Sequence, residues 1–188
     1  MSGVRLLAVR HAPTDAQGLC AGDTEIPTKV PAPTAATAIL AVAAQVEVGK
    51  VWSSPLTRCA EPARLVAEKL AVPLQIERQV REIHFGTWEN RTWDDIAARE
   101  PERHAAWMAG WLENVPPGGE PVPSLEARVR AWWDALPPGV HLLVAHAGVV
   151  RALRVIVEQR TWPEAMSIPV PPLAGEWFER PCPAGESR

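Results

Sequence analysis

Two textures of apolar and polar positions alternate along the chain. Residues 4–10 (VRLLAVR) form a short apolar run bounded by charge, the length of a buried strand. Residues 34–46 are alanine-rich and helical in composition, and residues 48–55 (VGKVWSSP) read as a second strand ending on Ser53 and Ser54. Over 58–70, Ala63, Leu65, Val66 and Leu70 recur at helical spacing, which requires Pro62 to lie in the first turn or to kink the helix. Residues 73–77 make a third short strand. Residues 91–113 carry helix formers and three tryptophans, interrupted at Pro101. Leu125, Val129, Trp132, Trp133 and Leu136 then form one apolar stripe, with Ser124 placed to cap the helix. Residues 139–146 (GVHLLVAH) are a strongly apolar strand running directly into a helix over 148–158. Strands alternating with helices predict a three-layer α/β/α fold, a mostly parallel sheet with helices on both faces.

Composition narrows the classes. The 188 residues suit one domain, and the 20 prolines collect between elements rather than inside them, so residues 1–188 are expected to form a single unit. A net charge of −3 excludes a general nucleic-acid binder, which needs a basic surface, but it allows a small cationic pocket. The alanine-rich run falls short of the ~20 residues needed to span a bilayer, and residues 6–9 are too short for a signal-peptide core. Cys20, Cys59 and Cys182 are odd in number and widely spaced, which suggests neither a disulfide framework nor a zinc site. A cytoplasmic protein without membrane contact is expected.

Three strands deliver positive or near-positive groups to one place. In a parallel sheet, ligands bind beyond the carboxyl ends of the strands. The first strand ends on Arg10 and His11, the second supplies Arg58 after a short turn, and the last ends on His146. Two arginines and two histidines gathered at one edge repel one another unless an anion sits among them. A phosphate fits, because a guanidinium fork matches its oxygens and the helix start at Gly148 offers unpaired N–H groups. A neutral imidazole held among cations is a nucleophile for phosphoryl transfer, and no metal or cofactor is called for. Such a transfer needs an acid for the departing alkoxide and later a base for water. Glu82 is the candidate, on the same side as His84 if residues 82–84 are extended; Glu89, Asp94 and Asp95 are competitors.

The segments VRHAPT, SSPLTRCAEPARLVA, REIHFGTWEN and LLVAHAGVVRAL resemble, in order, the four signature segments of the histidine phosphatase superfamily, the relatives of cofactor-dependent phosphoglycerate mutase. The resemblance implies a phosphoglycerate mutase-like fold and a metal-independent phosphomonoesterase acting on a small phosphate monoester. It casts His11 as the residue that becomes phosphohistidine and Glu82 as proton donor and acceptor. Arg10, Arg58, His146 and, by counting along the loop, Gln17 would hold the phosphate. Within the superfamily, the stretch from Phe85 to Trp132 is most similar to the α-ribazole phosphatases of cobalamin biosynthesis. It has a helical insert at about 88–123, expected to cap the active site, and a P-x-G-G-E loop. Trp93, Trp107 and Trp111 of the insert either pack it on the sheet or form a rim suited to a flat base.

The chain departs from the family pattern at Ala12, where a glycine is usual, at Pro62, and at Pro121 after the G-G-E triplet. A phosphoglycerate mutase-type phosphotransferase and a non-catalytic phosphate-binding relative stay open as alternatives, as does the choice between monomer and homodimer.

Overall fold

Alternation along the first strand sorts the whole core into two faces. The computed structural model describes residues 3–182, and β1 spans Gly3–Arg10. Leu6 and Ala8 point to one side of the sheet and Leu7 and Val9 to the other, each into its own hydrophobic cluster. The elements that follow are α1 (Ala32–Ala43), β2 (Lys50–Ser53), α2 (Thr57–Leu70) and β3 (Leu74–Ile76). Then come α3 (Trp93–Arg99), α4 (Pro101–Ala109), α5 (Val122–Asp134), β4 (Gly139–Ala145), α6 (Ala147–Glu158), α7 (Trp162–Ser167) and β5 (Gly175–Pro181). The sheet order is β3-β2-β4-β1-β5, with every pair parallel except β1 and β5.

Ile39 and Ala43 of α1 pack with Ala63 and Val66 of α2 on the Leu7–Val9 face. Leu125, Val129 and Trp132 of α5 join Val149, Val150 and Leu153 of α6 on the opposite face. Leu142 and Leu143 of β4 are fully buried, one on each side. Burying a side chain of this size stabilises the fold by roughly 1.5–3 kcal/mol relative to exposure. This is the three-layer arrangement that the strand and helix alternation predicts.

Three local details go beyond the sequence reading. Ser124 does not cap α5: Pro121 holds the cap position, Val122 and Pro123 open the helix, and Ser124 lies within the first turn. A proline there has its φ already near the helical value and loses no hydrogen bond, since the first N–H groups of a helix are unpaired anyway. Pro62 is the sixth residue of α2, beyond the first turn, and the helix continues through it to Leu70. The antiparallel edge strand β5 is absent from the sequence reading. Of its residues only Phe178 is buried, so GEWFERP lacks the apolar run that marks the central strands.

Candidate active site

Register brings the site together. β1 and β4 pair with Arg10 opposite Ala145, and Ser53 of β2 lies opposite Val144. His11 and His146 therefore leave adjacent strands side by side, with ring centroids 5.2 Å apart. The His11 N–H donates to the Ala145 carbonyl at 2.9 Å, extending the ladder one residue past the strand.

The tautomer of His11 follows from its neighbour. Its Nδ1 is 2.7 Å from the carbonyl oxygen of Ala12. A carbonyl only accepts, so Nδ1 carries the hydrogen and the neutral ring keeps its lone pair on Nε2. Burial pushes the His11 pKa down to about 4, and the Arg58 and Arg10 charges add to this against the raising effect of the Ala12 bond. His146 is fully buried, its Nε2 lies 2.7 Å from Ser54 Oγ, and burial followed by the charge of Arg58 holds it well below the usual histidine range. Both imidazoles are neutral near pH 7.

The arginines are anchored without being exhausted. Arg58 donates from Nη1 to the Thr24 carbonyl at 2.6 Å and from Nη2 to the Gly22 carbonyl at 2.7 Å. Arg10 donates from Nη1 to the Val170 carbonyl at 2.7 Å, and its buried Nε has no acceptor among the described residues. Burial lowers the Arg10 pKa while Glu82 opposes the shift.

A cavity of about 360 Å³ is lined by Arg10, His11, Gln17, Arg58 and Glu82. Gln17, exposed at its rim, stands among the groups expected to hold the phosphate. An adjoining cavity of about 480 Å³ shares Arg10 and Glu82 and continues past Phe85, Trp93, Trp107 and Trp162. Trp93 and Trp107 stack at 5.3 Å, and both pack on the satellite core of Cys20, Trp88 and Ile96. They serve as packing and as cavity wall at once. Trp111 reaches the same cavity and meets Trp162 edge to face.

Glu82 sits where loop and helix meet. One carboxylate oxygen accepts the Gly148 N–H at 3.0 Å and the other accepts the Ile83 N–H at 3.0 Å. The negative group thus lies on the positive end of α6, a favourable charge–dipole placement. The Gly148 N–H, expected to bind phosphate, is engaged by Glu82 instead. Glycine is required at 148 for this approach, because a Cβ there would overlap Glu82 Oε1. Glu82 and His84 do not form one face. Residues 82–85 are not a strand, and His84 turns to Glu89, 3.6 Å away.

The competitors for the acid role are committed elsewhere. The Glu89 carboxylate accepts from the backbone N–H groups of Gly22, Asp23 and Phe85 and from the Thr24 hydroxyl. It staples the loop that holds Arg58. Asp95 pairs with Arg91 and Arg99, and Asp94 is exposed.

Comparison with known proteins settles the family. Residues 6–179 match the model of the histidine phosphatase superfamily (branch 1). The chain belongs to the histidine phosphatase superfamily. It is 33% identical over 156 residues to the adenosylcobalamin/alpha-ribazole phosphatase of Salmonella typhimurium, covering 80% of this chain and 77% of that one. It is also 32% identical over 132 residues to the glucosyl-3-phosphoglycerate phosphatase of Mycobacterium tuberculosis, covering 60% and 58%. Among solved structures, the alpha-ribazole phosphatase of Shigella flexneri superposes with a TM-score of 0.84 at 25% identity, covering 94% of each chain. This histidine phosphatase is a phosphoric monoester hydrolase with the phosphoglycerate mutase-like fold. Among the described residues, no helix is long and apolar enough to cross a membrane.

Sequence reasoning missed several groups of the candidate site. Ser54 was read only as a strand end, yet it binds His146. Cys59 packs its sulfur 3.6 Å from His146 Nε2, and burial raises its pKa so that it stays a thiol. Arg151 lines the aromatic cavity one helical turn beyond Ala147, its buried Nε without an acceptor among the described residues. Spacing along the helix from Gly148 was the available signal for it.

Ala12, the departure from the family pattern, is unstrained. It is not among the residues with positive φ, and it is completely buried.

Proposed function

We propose that this enzyme hydrolyses a small phosphate monoester through a phosphohistidine on His11, with α-ribazole 5'-phosphate as its substrate. The observation that carries the mechanism is the bond between His11 Nδ1 and the Ala12 carbonyl, which leaves Nε2 as the free lone pair beside Arg10 and Arg58. In the first step Nε2 forms a bond to phosphorus as the ester P–O bond breaks. The departing oxygen takes a proton from the Glu82 carboxyl and leaves as the alcohol. In the second step the Glu82 carboxylate takes a proton from water, whose oxygen attacks phosphorus as the P–N bond breaks, releasing inorganic phosphate and restoring both groups. Arg10 and Arg58 hold the phosphoryl oxygens in both steps, with Gln17 at the rim, and the fixed cations stabilise charge on the transferring group. His146, expected among these groups, is fully buried against Ser54 and packs beside the His11 ring instead.

Glu82 lies on the border between the two cavities, where the ester oxygen would stand with the phosphate on one side and the alcohol on the other. The helical segment at about 88–123 caps the alcohol side. Its stacked tryptophans, with Phe85 and Trp162, favour a flat ring system over a bare sugar.

The mechanism is tested by mixing enzyme with labelled substrate and quenching. An acid-labile phosphoenzyme is expected, absent in His11→Ala, together with inhibition by vanadate and full activity in EDTA. Full activity of His11→Ala excludes it. The substrate is tested by comparing kcat/KM for α-ribazole 5'-phosphate, 3-phosphoglycerate and sugar phosphates. A sugar phosphate preferred over the riboside overturns that assignment, and transfer between hydroxyls of phosphoglycerate faster than release to water identifies a mutase.

A further inference from the structure

The stretch that carries Glu82 has no ladder to hold it. Residues 81–85 belong to no helix or strand, although a proton donor must be held closely to be effective. The restraint comes from Arg128, at the edge of the buried stripe of α5, one turn from Leu125 and one turn from Trp132. Its Nη1 donates to the carbonyl oxygens of Gln79 and Arg81 at 2.6 and 2.7 Å, and its Nη2 donates to the carbonyl of Glu82 at 3.0 Å. Nε and Nη2 also donate to the two oxygens of Glu120, at 2.6 and 2.9 Å. A guanidinium has five N–H donors, and all five are used. Glu120 closes the frame, because its own N–H donates to the His84 carbonyl at 2.7 Å.

Arg128 and Glu120 are both largely shielded, at 15% and 13% side-chain exposure, so solvent does little to weaken these charge-assisted bonds. α5 is itself fixed in the core by Leu125, Val129, Trp132 and Trp133. The guanidinium therefore transfers the rigidity of a core helix to three carbonyls within four residues, ending at the residue whose carboxylate faces the cavity.

We infer that Arg128 is a positioning residue for proton transfer: it fixes the backbone of Glu82 so that the carboxyl meets the departing oxygen. This rests on the role proposed for Glu82. The guanidinium fork is required, since a lysine ammonium offers one point charge and cannot span the carbonyls and the Glu120 carboxylate together.

The test uses leaving groups. An alkyl phosphate such as ribose 5-phosphate releases a weakly acidic alcohol that needs the proton. p-Nitrophenyl phosphate releases a far more acidic phenol that scarcely does. kcat/KM reports the steps through the first phosphoryl transfer, so it is measured for both substrates with the full-length wild type, Arg128→Ala, Arg128→Lys and Glu82→Gln. For Arg128→Ala, kcat/KM with the alkyl phosphate should fall about 100-fold, while p-nitrophenyl phosphate should stay within about fivefold of wild type. Arg128→Lys should recover part of the loss and keep the same bias; if Arg128→Ala does not fold, the lysine variant alone reads the ratio.

Equal losses on both substrates, or none on either, overturn the inference, since a merely structural arginine has no reason to discriminate between leaving groups. Glu82→Gln separates the two levels. If it discriminates and the Arg128 variants do not, the positioning role alone falls. If it does not discriminate, the proposed role of Glu82 falls and the positioning role with it.

Discussion

His11→Asn should change how stability responds to acid. In the folded enzyme, burial first and then the charges of Arg58 and Arg10 lower the His11 pKa from its ordinary 6.5 to about 4. Between those values the unfolded chain holds a proton on this residue that the folded chain refuses. Stability must therefore rise with pH across the window, and it is lost as pH falls from about 6.5 towards 4. At about 1.4 kcal/mol per pH unit, the displacement amounts to about 3 kcal/mol, which is a large share of a marginal folding free energy. Above about pH 7 both states are neutral and His11 contributes no pH dependence. The assay is urea unfolding of wild type and His11→Asn at intervals from pH 4 to 7.5, read as the difference between them so that carboxylates and His146 largely cancel. The variant should gain on the wild type by up to about 3 kcal/mol as the pH is lowered. A difference that stays constant across the range would show that His11 titrates alike in both states, and the account of a nucleophile kept neutral by its surroundings would fail.

Gly148→Ala places a Cβ on Glu82 Oε1 and forces the carboxylate off the start of α6. kcat/KM for an alkyl phosphate should drop about 100-fold while the far-UV circular dichroism is unchanged. Trp107→Ala opens the stacked pair that walls the second cavity. It should raise KM for α-ribazole 5'-phosphate about tenfold, near 1.4 kcal/mol of lost ring contact, and leave KM for ribose 5-phosphate close to wild type in parallel initial-rate measurements.

The side of the site that carries the proposed nucleophile was legible because strand geometry and sequence pattern carry the same information. Arg10, His11 and His146 stand directly after apolar runs, and parallel register places such positions together. The side that carries the proposed proton donor was less legible. Glu82 lies in a stretch with no periodicity, and extending it as a strand put His84 beside it, whereas the side-chain bonds of Glu89 and Arg128 set its actual course. Arg128 was invisible for a related reason. In a helix the sequence reports the buried stripe, and the partners of a polar residue at its edge depend on which loop passes by. Ala12 shows the converse, since it stands where the family usually has glycine and yet its φ is not positive.

This division has a consequence for how the site tolerates change. His11 inherits its place from backbone hydrogen bonds between β1 and β4, which survive most side-chain substitutions. Glu82 owes its place to side chains and to one missing Cβ: the fork of Arg128, the carboxylate of Glu120, and the gap left by Gly148. Single substitutions should therefore strip the proposed proton transfer from this enzyme more readily than the proposed phosphate binding. The residue set around Glu82 includes Arg128, which lines neither cavity, because holding a carboxyl group in an irregular loop takes side-chain bonds that a strand end obtains from its ladder.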